Sequence, residues 1–182
     1  MEKSSTRIGS YAPDFELPGT DGDVHHLAQY LKQFKAVGVI FMCNHCPYVR
    51  MYIDRLKQIQ QAFESQGVTL IGINSNDEKS YPADSFEHMK QFAAEHQLNF
   101  PYLRDVTQDV AEAFGAERTP EVFLLDQAGV LRYSGSVDDN AQNPAAVTSD
   151  YLKQAIAHLL AGSPIAATTT SPIGCSLKWR QN

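Results

Sequence analysis

The sequence predicts an α/β fold, with a central mixed sheet flanked by helices, an N-terminal hairpin and an inserted helix. Three observations carry that expectation. Residues 36–42 are a continuous apolar run rich in β-branched side chains, which suits a strand covered on both faces. A second apolar run at 68–73 lies one amphipathic helix further on, so strand, helix and strand make a right-handed βαβ unit. Residues 121–125 and 130–133 read as an antiparallel hairpin joined through Asp126-Gln127-Ala128-Gly129.

Each element has its own signal. Residues 1–7 are polar and expected to be loose. Residues 12–17 alternate weakly, Gly19-Thr20-Asp21-Gly22 supplies turn chemistry, and Val24 follows, which gives the N-terminal hairpin with His25-His26 at its edge. Residues 27–34 form a short helical turn. After the first buried strand, Val49, Ile53, Leu56, Ile59 and Phe63 fall at helical spacing, Arg50, Asp54 and Lys57 take the other side, and Gly67 stops the helix. Asp84 and Glu87 are spaced as a helix-start pair ahead of the apolar face Phe86, Met89, Phe92 and Ala93. Phe100-Pro101-Tyr102-Leu103 is extended. Thr107 is placed to cap a small helix closed by Gly115. Asp138-Asp139 fits a turn approaching the last helix, which Ser149 caps and Gly162 ends. The organisation is one domain over 1–162, then a Ser/Pro/Ala/Thr-rich linker and an extended tail over 163–182. In that tail Ile173, Cys175, Leu177 and Trp179 alternate with Gly174, Ser176 and Lys178, so one face docks on the body.

Composition narrows the function classes. At 182 residues, 43% apolar and 20% charged, the chain can bury a sizeable core without help from disulfides. A net charge of −6 offers no basic field to nucleic acid or an anionic membrane. The first thirty residues lack a basic start followed by an apolar stretch, and three cysteines are too few for a disulfide framework, so a cytoplasmic setting is expected.

The chemistry centres on Cys43-Asn44-His45-Cys46-Pro47, at the junction of the first buried strand and its helix. Thiols three apart at a helix start share a face and can close a small disulfide ring. Unpaired N–H groups and the helix dipole favour a thiolate there. Cys43, nearer the open end, is assigned the attack and Cys46 the resolving role, with Pro47 in a first turn that needs no N–H. The competing readings are two structural thiols, or a zinc site from Cys43, His45 and Cys46, although structural zinc asks for four ligands in paired clusters and a second CxxC is lacking. A cationic His45 would stabilise the thiolate and make the pair more oxidising; otherwise it is a solvated helix-start residue.

Taken together, Ala12-Pro13-Asp14-Phe15, Cys43-Asn44-His45-Cys46-Pro47, Ser80-Tyr81-Pro82, Thr119-Pro120, Phe123-Leu124-Leu125-Asp126 and the terminal Ile173-Gly174-Cys175-Ser176-Leu177-Lys178-Trp179 resemble the thioredoxin-fold redoxins, specifically the peroxiredoxin-like (AhpC/TSA-type) group with a thioredoxin-type CxxC. The likeness covers roughly 9–180. It implies a thioredoxin-like fold and a cis Thr119-Pro120 peptide that aims the Thr119 backbone at an extended substrate and packs Pro120 over the sulfurs. Arg118 beside it stabilises a thiolate or is a surface residue. The chain also departs from both parents. Met42 stands where thioredoxins have Trp, residues 37–42 hold no buried acid, and Val39 and Cys43 replace the Pro and Thr of the peroxiredoxin pattern PxxxTxxC.

Cys175 is either a third redox thiol or a small docked hydrophobe. Thirteen residues beyond Gly162 span up to roughly 43 Å extended, against a radius of gyration of roughly 16 Å, so it can reach the pair. The function expected is a thiol–disulfide oxidoreductase using the Cys43/Cys46 couple, with no cofactor. Its partners would be a disulfide-bearing protein or small molecule (peroxide included) and an external thiol reductant, with neither nucleic acid nor membrane, acting as monomer or homodimer. The alternatives are a thiol peroxidase, with Cys46 peroxidatic and Cys43 or Cys175 resolving, and a non-enzymatic binding or metal-binding module.

Overall fold

A computed structural model describes residues 6–181; most of the loose lead expected at 1–7 lies outside the described residues. The short strands β1 (Glu16–Pro18) and β2 (Val24–His26) form the expected N-terminal hairpin, apart from the main sheet, and α1 (Leu27–Gln33) follows. The βαβ unit is β3 (Ala36–Phe41), α2 (Pro47–Phe63) and β4 (Val68–Asn74). Then come α3 (Phe86–Glu95), β5 (Tyr102–Arg104), α4 (Asp109–Phe114), β6 (Arg118–Thr119), the hairpin β7 (Glu121–Asp126) and β8 (Leu131–Gly135), α5 (Tyr151–Ala161) and β9 (Cys175–Ser176).

The main sheet runs β5-β4-β3-β7-β8. β3 lies at its centre, parallel to β4 and antiparallel to β7, and all six of its residues are buried, as its unbroken apolar run requires. Alternation then sorts side chains to the two faces. Ile40, Leu70, Val122 and Leu124 pack with Ile53 and Leu56 of α2, Met89 and Phe92 of α3, and Ile156 of α5. Val39, Phe41, Ile71, Ile73, Phe123 and Leu125 pack on the other side with Leu27, Phe114 and Leu177. Burial of each large side chain is worth about 1.5–3 kcal/mol, so both layers hold the sheet from which the site projects.

Three local expectations are revised. Asp84 does not start α3: Ser85 is its N-cap, accepting from the His88 N–H, while Asp84 ends the one-turn helix Pro82–Asp84 and is fully buried. Ser149 does not cap α5, which begins at Tyr151 after Asp150 without a side-chain cap. Asp138 does turn the chain, accepting from the Asn140 N–H, but it also takes the Arg55 guanidinium at 2.8 Å and the Tyr52 hydroxyl at 2.9 Å, tying α2 to the loop after β8. The low-complexity stretch is itself fixed along the sheet edge. Ser134 of β8 bonds the Thr168 carbonyl and receives the Thr170 N–H, each at 3.0 Å.

Candidate active site

β3 delivers Met42 and Cys43 to the carboxyl edge of the sheet, and α2 starts three residues later with Cys46 as its N-cap and Pro47 in its first turn. Open α/β sheets gather their sites at this edge. Both sulfurs are buried, Cys43 at 1% exposure and Cys46 at 0%. The Thr119-Pro120 peptide is cis, as the resemblance implied. Thr119 touches both sulfurs: its hydroxyl lies 3.5 Å from Cys43 Sγ and its carbonyl 3.3 Å from Cys46 Sγ. The second contact is a hydrogen bond that the Cys46 thiol donates and that is given up when Cys46 ionises.

The tail completes this arrangement. β9 pairs antiparallel with β6, Thr119 opposite Cys175 and Arg118 opposite Ser176. Cys175 packs on the cluster holding the other two cysteines, and its thiol and backbone N–H both favour a Cys46 thiolate. The docking face expected from Ile173, Cys175, Leu177 and Trp179 is observed, with Leu177 buried and the other three half-buried. Arg118 enters through its backbone. Its side chain is exposed, while its N–H and that of Glu117 bond the buried Glu121 carboxylate at 3.0 and 2.8 Å. Burial pushes the Glu121 carboxyl up from its ordinary range.

Under the cysteine loop lies a polar network that sequence reasoning missed. Asp84 accepts the Asn44 N–H at 2.7 Å, the Asn76 amide at 3.0 Å and the Asn74 amide at 3.3 Å. Tyr102 donates to the Asn44 side chain at 2.7 Å, and burial holds its hydroxyl well above the usual ionisation range, so it stays a donor. His45 Nδ1 stands 2.6 Å from the other Asp84 oxygen, and the ring stacks on Tyr81 at 5.7 Å. The acid missing from 37–42 is thus supplied from the segment before α3. The only signal for it was a carboxylate next to a better capping residue, Ser85.

The two cysteines of the pair are shifted in opposite directions. Its thiol is pushed up, first by its hydrogen bond to Cys46, then by burial and by the Asp84 charge. Cys46 is lowered to about 4, first by that same bond from Cys43, with further help from the Cys175 thiol and the Val49 N–H at the helix start, against burial. Cys175 is raised to about 11, chiefly by burial and by Cys46. Among the described residues, Cys43, His45 and Asp84 are the one group whose ligand atoms converge, all within 4.8 Å of one another. That makes three donors of the four a closed tetrahedral site asks for.

Residues 8–134 match the AhpC/TSA family. The chain belongs to that family. Within it, the chain is 28% identical over 131 residues to the thiol-disulfide oxidoreductase ResA of Geobacillus thermodenitrificans, covering 72% of this chain and 70% of the relative. It is 27% identical to the thiol:disulfide interchange protein DsbE of Escherichia coli, over 75% and 69% of the two chains. An uncharacterized conserved protein of Geobacillus kaustophilus superposes at a TM-score of 0.91 with 37% identity, covering 100% of this chain and 97% of that one. The fold is therefore thioredoxin-like, as the family and these likenesses require.

Proposed function

We propose that this protein is a thiol–disulfide oxidoreductase whose working couple is Cys43/Cys46. The observation that carries the reading is two free thiols three residues apart at the N-terminus of α2, both touching the residue before a cis-proline. The ResA and DsbE likenesses put the chain in the oxidoreductase class. In the proposed cycle the Cys46 thiolate attacks one sulfur of a substrate disulfide and forms a mixed disulfide, releasing the other sulfur as thiolate. Cys43 attacks the Cys46 sulfur, releases the second substrate thiol and leaves a Cys43–Cys46 disulfide, which an external thiol reduces. Asp84 discourages a thiolate on Cys43, so Cys46 is the sulfur that strikes. Substrate is proposed to be a disulfide-bearing polypeptide, and the cycle is proposed to run in a reducing, cytoplasmic setting. The test is insulin-disulfide reduction by the purified protein with Cys43→Ser and Cys46→Ser. Both should lose about two orders of magnitude or more, since the ring needs both sulfurs. Full activity in Cys46→Ser would sink the assignment.

A second reading draws on one observation. Cys46, which carries the thiolate character, occupies the place of the peroxidatic cysteine in the TxxC pattern. Peroxide would then convert Cys46 to a sulfenic acid that Cys43 resolves with loss of water. Peroxide consumption at least as fast as insulin reduction would favour it.

A further inference from the structure

Neither sulfur of the pair reaches solvent, and what covers them includes the chain's own C-terminal strand. The tail is built to lie there. At Gly174 a Cβ would stand 2.2 Å from the Thr119 carbonyl oxygen, so only glycine permits the approach that brings Cys175 over Cys46. Downstream the tail is pinned: the Leu177 N–H bonds the Glu117 carbonyl at 2.9 Å, the Lys178 N–H bonds Asn76 at 2.9 Å, and the Lys178 carbonyl receives the Asp77 N–H at 2.8 Å. Asn76 also bonds Asp84, so the tail and the cysteine loop hang on one network. Cys175 thus meets Cys46 from a strand edge on β6, beside the cis-proline, and unlike the pair it is partly exposed. A cysteine serving only as core filler needs neither the strand pairing that sets it opposite Thr119 nor the clearance at Gly174.

We infer that Cys175 is the third thiol of a relay, which exchanges with the Cys43–Cys46 disulfide to give a Cys46–Cys175 disulfide and so moves the oxidised bond to the molecule's edge. The inference rests on the redox reading of Cys43/Cys46 given above. The step is an isomerisation. Cys175 as thiolate attacks the Cys46 sulfur, the Cys43–Cys46 bond breaks and the Cys46–Cys175 bond forms. Cys43 leaves as thiolate and takes up the proton that Cys175 gave up, so the protein holds one disulfide and one thiol before and after. The partly exposed disulfide is then the one that meets the external thiol reductant, without lifting the tail off the buried pair.

The test oxidises the full-length reduced protein with diamide, quenches in acid at intervals, alkylates free thiols and maps disulfides by mass spectrometry. The sole tryptophan, Trp179, lies four residues from Cys175 and reports the tail by fluorescence. In the unsubstituted protein the Cys43–Cys46 disulfide should appear first and the Cys46–Cys175 disulfide should grow from it. The growth should speed up by about tenfold per pH unit while the Cys175 thiol is mostly protonated. Cys43→Ser should run to Cys46–Cys175 alone. Cys175→Ser should stop at Cys43–Cys46 and lose the second fluorescence phase. A normal Cys43–Cys46 disulfide with Cys175 still alkylatable at every time, in the unsubstituted protein and in Cys43→Ser, overturns the relay and leaves the redox pair standing. Failure of any Cys43–Cys46 disulfide to form overturns both.

Discussion

Replacing Asp84 by Asn removes one negative charge from beneath the cysteine loop and nearly nothing from its volume. One Asp84 oxygen lies within 4.8 Å of Cys43 Sγ. At that separation and an effective dielectric constant of about 20, a unit charge acts on a thiolate with about 3 kcal/mol, or roughly two pKa units. Asp84→Asn should therefore lower the Cys43 pKa by up to about that amount. In a Cys46→Ser/Cys175→Ser background Cys43 is the last of the three cysteines, so the pH dependence of ultraviolet thiolate absorbance reads it alone. The same change has a structural cost. The carboxylate accepts from Asn44, Asn74 and Asn76 and faces His45, whereas an amide presents donors on one side. One buried donor left without an acceptor costs about 1–3 kcal/mol, a fall of about 2–12 °C in Tm at the roughly 2–4 °C per kcal/mol of a chain of this size. A titration midpoint that does not move in a folded variant would refute the claim that Asp84 keeps the proton on Cys43. It would also remove the electrostatic reason for choosing Cys46 as nucleophile.

Other consequences can be checked separately. The Cys46 thiol is lowered from an ordinary 9.0 to about 4, so the unfolded chain binds the extra proton between those limits. This contribution is absent below about pH 4, rises with pH and is complete above 9, and the raised Cys43 thiol begins to oppose it only above 9. Thermal denaturation of the reduced protein should show stability rising with pH across that window, a slope that Cys46→Ser abolishes. A thiolate this favoured also stabilises the reduced form, so the pair's potential in a glutathione redox titration should be less negative than about −200 mV. Arg55→Ala should cost about 3–5 kcal/mol in urea denaturation, because it strands the buried Asp138 carboxylate and the Asn140 and Ala141 carbonyls, both held at 2.6 Å. Zinc release from freshly purified protein should be far below one equivalent; near-stoichiometric metal on Cys43, His45 and Asp84 would displace the redox account.

What was legible in the sequence was what a local pattern encodes. An unbroken apolar run specified β3, helical spacing specified α2, and period two in residues 173–179 specified which side of the tail docks. The position of the cysteine pair at the carboxyl edge followed from those elements. The role of Asp84 was not legible, because its partners Asn44, Asn74 and Asn76 come from the cysteine loop and the end of β4, which only the folded sheet brings together. Local spacing gave it the commoner duty of starting a helix, which Ser85 performs one residue later. The choice of nucleophile likewise turns on partners distant in sequence. Position at the open end of a helix describes dipole and hydration, and both favour the first cysteine. The terms on which the proposed choice of Cys46 rests are a carboxylate forty-one residues away, beside Cys43, and a third thiol on the tail, beside Cys46.

The two departures noted in the sequence are linked by that carboxylate. A thioredoxin carries its buried acid in the strand before the site, and a peroxiredoxin carries Thr where this chain has Cys43. Here the acid arrives from the segment inserted between β4 and α3, on the Cys43 side of the loop, and His45 faces it at 2.6 Å. A charge so placed penalises a thiolate on Cys43 and leaves the one on Cys46 favoured by the N-terminus of α2. With Thr at position 43 the same surroundings would leave Cys46 as a single reactive sulfur without a resolving neighbour three residues away. With Cys there, the disulfide can close inside the loop, and in the proposed order Asp84 keeps the proton on Cys43 until Cys46 has attacked.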